Sequence, residues 1–296
     1  MSSLTAIPLV SKLSKGVIRI LGCNPGPMTL QGTNTYLIGT GLRRILIDSG
    51  DAETANEYTK LLEEVLHNEG ATIEHLIITH WHHDHIGGVE SVKNLLKLRN
   101  TRAKSPTVWK LSRSLEDRGN DGQEESYSVE WRSMNDGQLF EVDGAKLQIH
   151  HTPGHTTDHA CLTLLEDNSL FSGDCILGEG TAVFEDLHDY ILSLEKIIQM
   201  TPKVIYPGHG PVIESPVPRI QYYIRHRQQR ENEILKVLQE HGTMNSLSEM
   251  DIVQRIYTET PENLWNAAAA NVRHHLEKLL KERKVRGENG AWFSNI

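Results

Sequence analysis

Cysteine is scarce in these 296 residues: Cys23, Cys161 and Cys175 are the full complement, widely spaced and with no C-x-x-C pair. A disulfide framework is therefore excluded, and a reducing compartment is expected. Long apolar runs are missing as well. No stretch approaches the roughly 20 residues of a transmembrane helix, and no apolar segment precedes a small-residue cleavage site, so neither a membrane partner nor export is expected. A positive surplus is also lacking, since the formal net charge is -9. The chain as a whole is not built for polyanions, and any nucleic-acid contact must come from local basic patches. The opening stretch lacks acids altogether: the first is Asp48, after Ser2, Ser3, Ser11, Lys12, Ser14, Lys15 and Arg19. That pattern suits a mitochondrial targeting segment and, for want of early arginines, an ordinary N-terminal strand region equally well.

What is present is an α/β pattern long enough for one large domain and a small appendage. Strands are expected over 16–21, 35–38 and 44–47, the last two joined by Gly39-Thr40-Gly41, followed by an amphipathic helix over 53–67. Leu76, Ile77 and Ile78 form a short buried strand ending at Thr79. A helix over 89–98 follows. Residues 93–118 hold eight Lys and Arg (93, 97, 99, 102, 104, 110, 113 and 118) against Glu116 and Asp117, either a solvated surface or a track for a polyanion. Residues 119–125 read as a mobile loop. Strands over 139–142, 145–149, 160–165 and 169–172, a helix over 187–200 and a strand over 203–206 repeat the order of the first half, which gives two packed sheets with helices outside. From 217 to 239 the pattern is helical. Helices over 248–257 and 264–283, the second opened by Thr260-Pro261-Glu262 with proline at the first helical position, precede a hairpin around residues 287–290. Helix, turn, helix, hairpin is a winged-helix pattern. The expected division is 1–230 and 231–296.

The chemistry is concentrated after Thr79, in His80-Trp81-His82-His83-Asp84-His85. From the chain's own composition, H-x-H-x-D-H should arise by chance on the order of 10⁻³ times in a chain this long. So many ionisable groups at a strand mouth are costly without a cation, and their types suit a borderline metal such as zinc. Three further candidates stand at strand ends, each after a glycine that lets the backbone turn: His155, Asp174 and His209. We assign His80, His82 and His155 to one ion, and Asp84, His85 and His209 to a second. Asp174 bridges them, with a hydroxide shared between the two zinc ions. Asp84 and Asp174 are expected to serve catalysis as well as binding. Asp48, at a strand end, can accept from a ligand imidazole, and His159 can orient a ligand or a leaving group.

These motifs, Thr-His-Trp-His-His-Asp-His, Thr-Pro-Gly-His, Ser-Gly-Asp and Pro-Gly-His-Gly in this order, resemble the metallo-β-lactamase superfamily over roughly residues 16 to 230. The resemblance implies a four-layer αββα sandwich. Residues 22–36, 173–180 and 260–264 are similar to one subgroup of that superfamily, which implies a zinc-dependent endoribonuclease of single-stranded RNA in the mitochondrial matrix with a winged-helix-like C-terminal domain; the alternative location is the cytoplasm. Attack of a bridging hydroxide on a phosphodiester suits such a site. The arginines between 219 and 230 and the Arg273, Lys278, Lys281, Arg283, Lys284, Arg286 series are candidates to hold the RNA backbone, and Trp81, Trp109 or Tyr223 to stack a base, although a core role is the ordinary one for each. The competing reading is a thioester hydrolase of the hydroxyacylglutathione type, which has nearly the same ligands but an all-helical substrate domain. A non-catalytic RNA module is the reading of another class. The chain is expected to be a monomer or a homodimer.

Overall fold

The computed structural model describes residues 4–100, 105–113, 129–242, 245–288 and 290–295. A seven-stranded sheet contains β1 (Val10–Ser14), β2 (Val17–Leu21), β3 (Asn34–Ile38), β4 (Arg43–Ile47), β5 (Thr72–Ile77), β6 (Thr107–Lys110) and β7 (Arg132–Ser133), in that spatial order. It is antiparallel through β4 and parallel from there on. A five-stranded sheet is built from β8 (Leu139–Val142), β9 (Ala145–His151), β10 (Ala160–Leu164), β11 (Ser169–Gly173) and β12 (Val204–Pro207), again side by side in chain order.

Period-two alternation sorts each strand's side chains into two layers. Tyr36, Ile38, Ile45, Ile47 and Ile77 of the first sheet meet Leu147, Ile149, Leu162, Phe171 and Tyr206 of the second in the central core. Their neighbours Leu37, Leu46 and Leu76 point the other way, onto Tyr58, Leu62 and Leu66 of α1 (Ala55–Asn68). One helical turn, α2 (His83–Ile86), leads from β5 towards α3 (Val89–Arg99), whose Val92 and Leu96 join the same outer layer. Beyond the second sheet, Tyr190, Leu194 and Ile197 of α4 (Leu187–Met200) and Ile220 and Tyr223 of α5 (Pro216–His241) cover Leu170 and Ile205. The result is the αββα sandwich, each fully buried Leu or Ile contributing roughly 1.5–3 kcal/mol.

Helix α5 is continuous through position 230 and carries two faces in succession. Ile220 and Tyr223 belong to the sandwich, while Ile234 and Leu238 belong to a separate core with Ile252, Val272, Leu276, Leu279 and Trp292. That core is the winged-helix unit: α6 (Glu249–Ile256), a 3-10 turn (Glu262–Leu264), α7 (Trp265–Lys281) and a hairpin of β13 (Val285–Glu288) and β14 (Ala291–Ser294). Ser248 opens α6 with a reciprocal cap, its hydroxyl accepting from the Asp251 amide while Asp251 accepts from the Ser248 amide. Pro261 differs from expectation. Its ψ of 138° is extended, so it precedes the 3-10 turn and the α-helix begins only at Trp265.

Residues 10–14 form an edge strand paired with β2, in line with the strand-region reading of the N-terminal stretch. The basic run departs from the sequence reading. Inside the basic run, residues 107–110 form β6, and Lys110 is fully buried because its ammonium reaches the carboxylate of Asp158. The loop expected over 119–125 lies outside the described residues.

Candidate metal centre

Strand ends from both sheets converge on one place, and hydrogen bonds behind the ligands set which nitrogen faces it. Asp48 ends β4 with φ +60° and accepts from the Thr79 amide at 2.8 Å, the Thr79 hydroxyl at 2.9 Å and His85 Nδ1 at 2.7 Å. The expected role of Asp48 is thus met geometrically, and His85 Nε2 is left facing inward. Because the Thr79 hydroxyl donates to Asp48, it accepts from His80 Nδ1 at 2.9 Å, leaving His80 Nε2 inward. His155 follows β9 and donates from Nδ1 to the Val183 carbonyl at 2.8 Å. His209 follows β12, with Nδ1 directed to the Gly32 carbonyl at 3.4 Å. Asp84 and His85 sit on the single turn of α2, and the Thr33 hydroxyl donates to Asp84 Oδ2 at 2.9 Å. Sequence reasoning missed Thr33, Gly32 and Val183: they lie in loops, and nothing local marks their return to the site from distant parts of the chain.

All seven expected ligands come together, as two groups. In the first, His80 Nε2 lies 2.9 Å from His82 Nδ1 and 3.2 Å from His155 Nε2, and His155 Nε2 lies 3.0 Å from His82 Nδ1. In the second, His209 Nε2 lies 3.3 Å from His85 Nε2 and 3.1 Å from Asp84 Oδ2. Asp174 reaches both: Oδ2 is 3.7 Å from His155 Nε2 and 3.2 Å from His209 Nε2, and Oδ1 is 3.4 Å from His85 Nε2. His83, His150 and His151 stay outside these groups.

The electrostatics of the donor set suit a cation. Burial pushes His80 well below the usual imidazole range, His82 down to about 3 and His155 down to about 4, so all three are neutral, and His80 and His155, whose Nδ1 protons are held elsewhere, turn the lone pairs of their Nε2 atoms towards each other. Facing lone pairs repel unless a cation lies between them, and neutral imidazole is the form that binds one. The second group balances its charge differently. Against burial, Asp84, Asp174 and Asp48 hold His85 well above its usual value, and Asp174 and Asp84 raise His209 to about 9. The same imidazoles hold the Asp84 and Asp174 carboxyls far below the carboxylate range despite burial. Protons on His85 and His209 thus stand where a cation's charge would. Among the described residues, the buried Asp174 Oδ1 has no well-aligned hydrogen-bond donor, and His85 Nε2 lies 3.4 Å from it. Nitrogen and carboxylate donors with an orphaned carboxylate oxygen fit metal ions.

Several of the residues named as candidates for RNA contact have partners within the fold. Arg219 donates to the carbonyl of Gly180 at 2.8 Å, and Arg227 donates to Ala182 at 3.1 Å with its guanidinium over Phe184. Arg230 pairs with Glu233 at 2.7 Å, Lys278 with Glu231 at 2.5 Å, Lys281 with Asp186 at 2.5 Å and Lys284 with Glu282 at 2.7 Å. Trp81 and Tyr223 are buried, and Trp109 packs edge-on against Phe140.

Residues 28–209 match the family model described as the Metallo-beta-lactamase superfamily. The chain belongs to that superfamily. Residues 248–292 match the Beta-lactamase associated winged helix domain, in agreement with the C-terminal core. Among its relatives within the superfamily is the Beta-lactamase-like protein 2 homolog of Drosophila melanogaster, 52% identical, with 96% of this chain and 94% of that protein covered. The homologue of the same name from Caenorhabditis elegans is 46% identical, with 100% and 95% covered. An atrochrysone carboxyl ACP thioesterase of Aspergillus fumigatus is 34% identical, with 99% and 91% covered. A metallo-beta-lactamase family protein of Thermus thermophilus shares the fold with a TM-score of 0.71 at 21% identity, covering 96% of this chain and 100% of that one.

Proposed function

We propose that this metallo-β-lactamase superfamily hydrolase is an endoribonuclease of single-stranded RNA that uses two zinc ions per chain and works in the mitochondrial matrix. The observation that carries the two-ion reading is Asp174, whose carboxylate reaches both groups of donors: Oδ2 lies 3.7 Å from His155 Nε2 and 3.2 Å from His209 Nε2, and Oδ1 lies 3.4 Å from His85 Nε2. Two zinc ions would supply Lewis acidity at a phosphoryl oxygen, a water acidic enough to act at neutral pH and charge to offset an anionic substrate. His80, His82 and His155 would hold one, Asp84, His85 and His209 the other, and Asp174 both. The chain's own residues define the approach. His80, His85, His155 and His209 are buried, whereas His82 and Asp84 are half-buried and form the open side. The Thr33 hydroxyl on Asp84 Oδ2 keeps that carboxylate turned inward, and Asp48 does the same for His85. The similarity to two animal Beta-lactamase-like protein 2 homologues over nearly the whole chain supports the subgroup to which the sequence motifs point.

Thioester hydrolysis is the second reading, favoured by the Aspergillus fumigatus ACP thioesterase relative. Its hydroxyacylglutathione form is disfavoured by the β13–β14 hairpin, where an all-helical substrate domain would be required. The test is to incubate zinc-loaded protein with single-stranded RNA and with an acyl thioester, using wild type and Asp84→Asn. RNA cleavage slowed roughly 100-fold or more in Asp84→Asn supports the proposal. Thioester turnover without RNA cleavage establishes the second reading, and RNA cleavage untouched by the substitution refutes the site.

A further inference from the structure

We infer that His159 is the positioning residue of Asp174, the carboxylate shared by both donor groups; the inference rests on the metal reading of the site. His159 is fully buried behind the centre, its ring centroid 5.2 Å from that of His80 and 5.7 Å from that of His155. It belongs to neither group of ligands. Instead its Nε2 lies 3.1 Å from the backbone nitrogen of Asp174. An amide N–H can only donate, so Nε2 carries the lone pair and the neutral ring keeps its proton on Nδ1.

The rest of the direction follows from that one constraint. Nδ1 donates to Thr152 Oγ1 at 2.9 Å, and the Thr152 hydroxyl donates onward to Cys161 Sγ at 3.3 Å. The Cys161 thiol in turn donates to the Ser172 carbonyl at 3.5 Å. A single directed chain of hydrogen bonds therefore starts at Asp174 and finishes two residues earlier in the same backbone, gripping the bend at Gly173 from both sides. Gly173 has φ +45°, and a Cβ there would lie 2.6 Å from His159 Nε2, so the ring and the bend are fitted to each other. Thr152, Cys161 and Ser172 are also fully buried, which keeps water from substituting for any link. Were the amide acceptor lost, the strand end that aims Asp174 would be free to turn, and both ions would lose a ligand in its proper place.

A ring that merely fills space makes different predictions. The experiment titrates metal-free protein with cobalt(II), read by its visible absorption and by competition with a chelating dye, for wild type, His159→Phe, His159→Gln and Thr152→Val. His159→Phe is expected to bind cobalt about 10–100-fold more weakly with a changed spectrum. His159→Gln, whose amide oxygen can accept from Asp174, is expected to recover most of that loss. Thr152→Val leaves the ring in place but removes the acceptor of its proton, and is expected to shift affinity and spectrum in the same direction; it carries the test if His159→Phe does not fold. Nitrogen NMR of the zinc-loaded wild type is expected to show His159 protonated on Nδ1. Wild-type cobalt affinity in both His159→Phe and Thr152→Val, or a proton on Nε2, overturns this role alone. A wild-type protein that takes up no cobalt overturns the metal reading and this role with it.

Discussion

The ion pair of Lys110 and Asp158 joins the two sheets beside the metal centre, and both side chains are fully excluded from solvent. Lys110 ends β6 at the far side of the first sheet, whereas Asp158 belongs to the turn between β9 and β10 that carries His155. The ammonium also donates to the Leu111 carbonyl at 3.0 Å and lies over the Trp131 ring, and Asp158 Oδ1 accepts from the Thr156 hydroxyl at 2.7 Å. Lys110→Met keeps the volume and removes the charge, stranding a carboxylate with only a hydroxyl to satisfy it. Removing one partner of a buried pair costs about 3–5 kcal/mol, a large share of the ~5–15 kcal/mol typical of a folded protein. At this chain length that corresponds to a fall in melting temperature of roughly 5–8 °C. Denaturant melts of metal-free protein, which report the polypeptide without help from bound cations, give the measurement. The double variant Lys110→Met/Asp158→Asn is expected to regain part of the loss, since the Asp158 charge no longer stands unpaired. A Lys110→Met midpoint equal to wild type, or a double variant showing the simple sum of two losses, would refute the view that this pair fastens the His155 turn.

His275, on α7, is fully buried with neither ring nitrogen hydrogen-bonded among the described residues, and burial, reinforced by Arg227, Lys278, Arg230 and His274, pushes it down to about 3. The unfolded chain then takes up a proton that the folded chain refuses, so stability is full above about pH 6.5 and is lost as pH falls towards 3, by up to ~1.4 kcal/mol per pH unit; His275→Leu is expected to flatten that part of a stability-against-pH curve, and an unchanged slope counts against it. Ser248→Ala removes one half of the reciprocal cap on α6 and is expected to cost about 1 kcal/mol, seen as a lower denaturation midpoint of the winged-helix unit with the metal content unaltered.

The metal site and most of the sandwich were legible because both depend on local pattern. Period-two runs gave β3, β4 and β8 to within a residue or so, and the span expected for α4, 187–200, is the observed one, helped by Asp186, whose side chain accepts from the Asp189 amide. The ligands announced themselves by spacing and by the glycines before His155, Asp174 and His209. Strand β1 was harder to see: at the sheet edge, its Val-Ser-Lys-Leu-Ser buries little, so alternation carries almost no hydrophobic signal. Strand β6 was hidden by charge, because a lysine reads as surface unless its distant partner is known. The same blindness applies to the residues behind the ligands. Thr33, Gly32 and Val183 act through contacts between loops far apart in the chain, which spacing cannot reveal.

Arg227 shows how far charge alone can mislead, and it can be tested. In the sequence it belongs to a basic stretch suited to an RNA backbone. In the fold it is 8% exposed, with its guanidinium spread over Phe184 and one nitrogen on the Ala182 carbonyl. Between those two residues lies Val183, whose carbonyl fixes the tautomer of His155. Arg227→Met should therefore loosen residues 182–184 and weaken metal binding by about 10-fold, the lower end of the effect expected for outer partners of a ligand. A backbone-contacting arginine would instead leave metal affinity alone and lower the salt dependence of RNA binding by about 0.7 in log–log slope for one lost contact to a single strand. Measuring both quantities on one variant separates the alternatives: unchanged metal affinity with a shallower salt slope would return Arg227 to the RNA track and remove it from the support of His155.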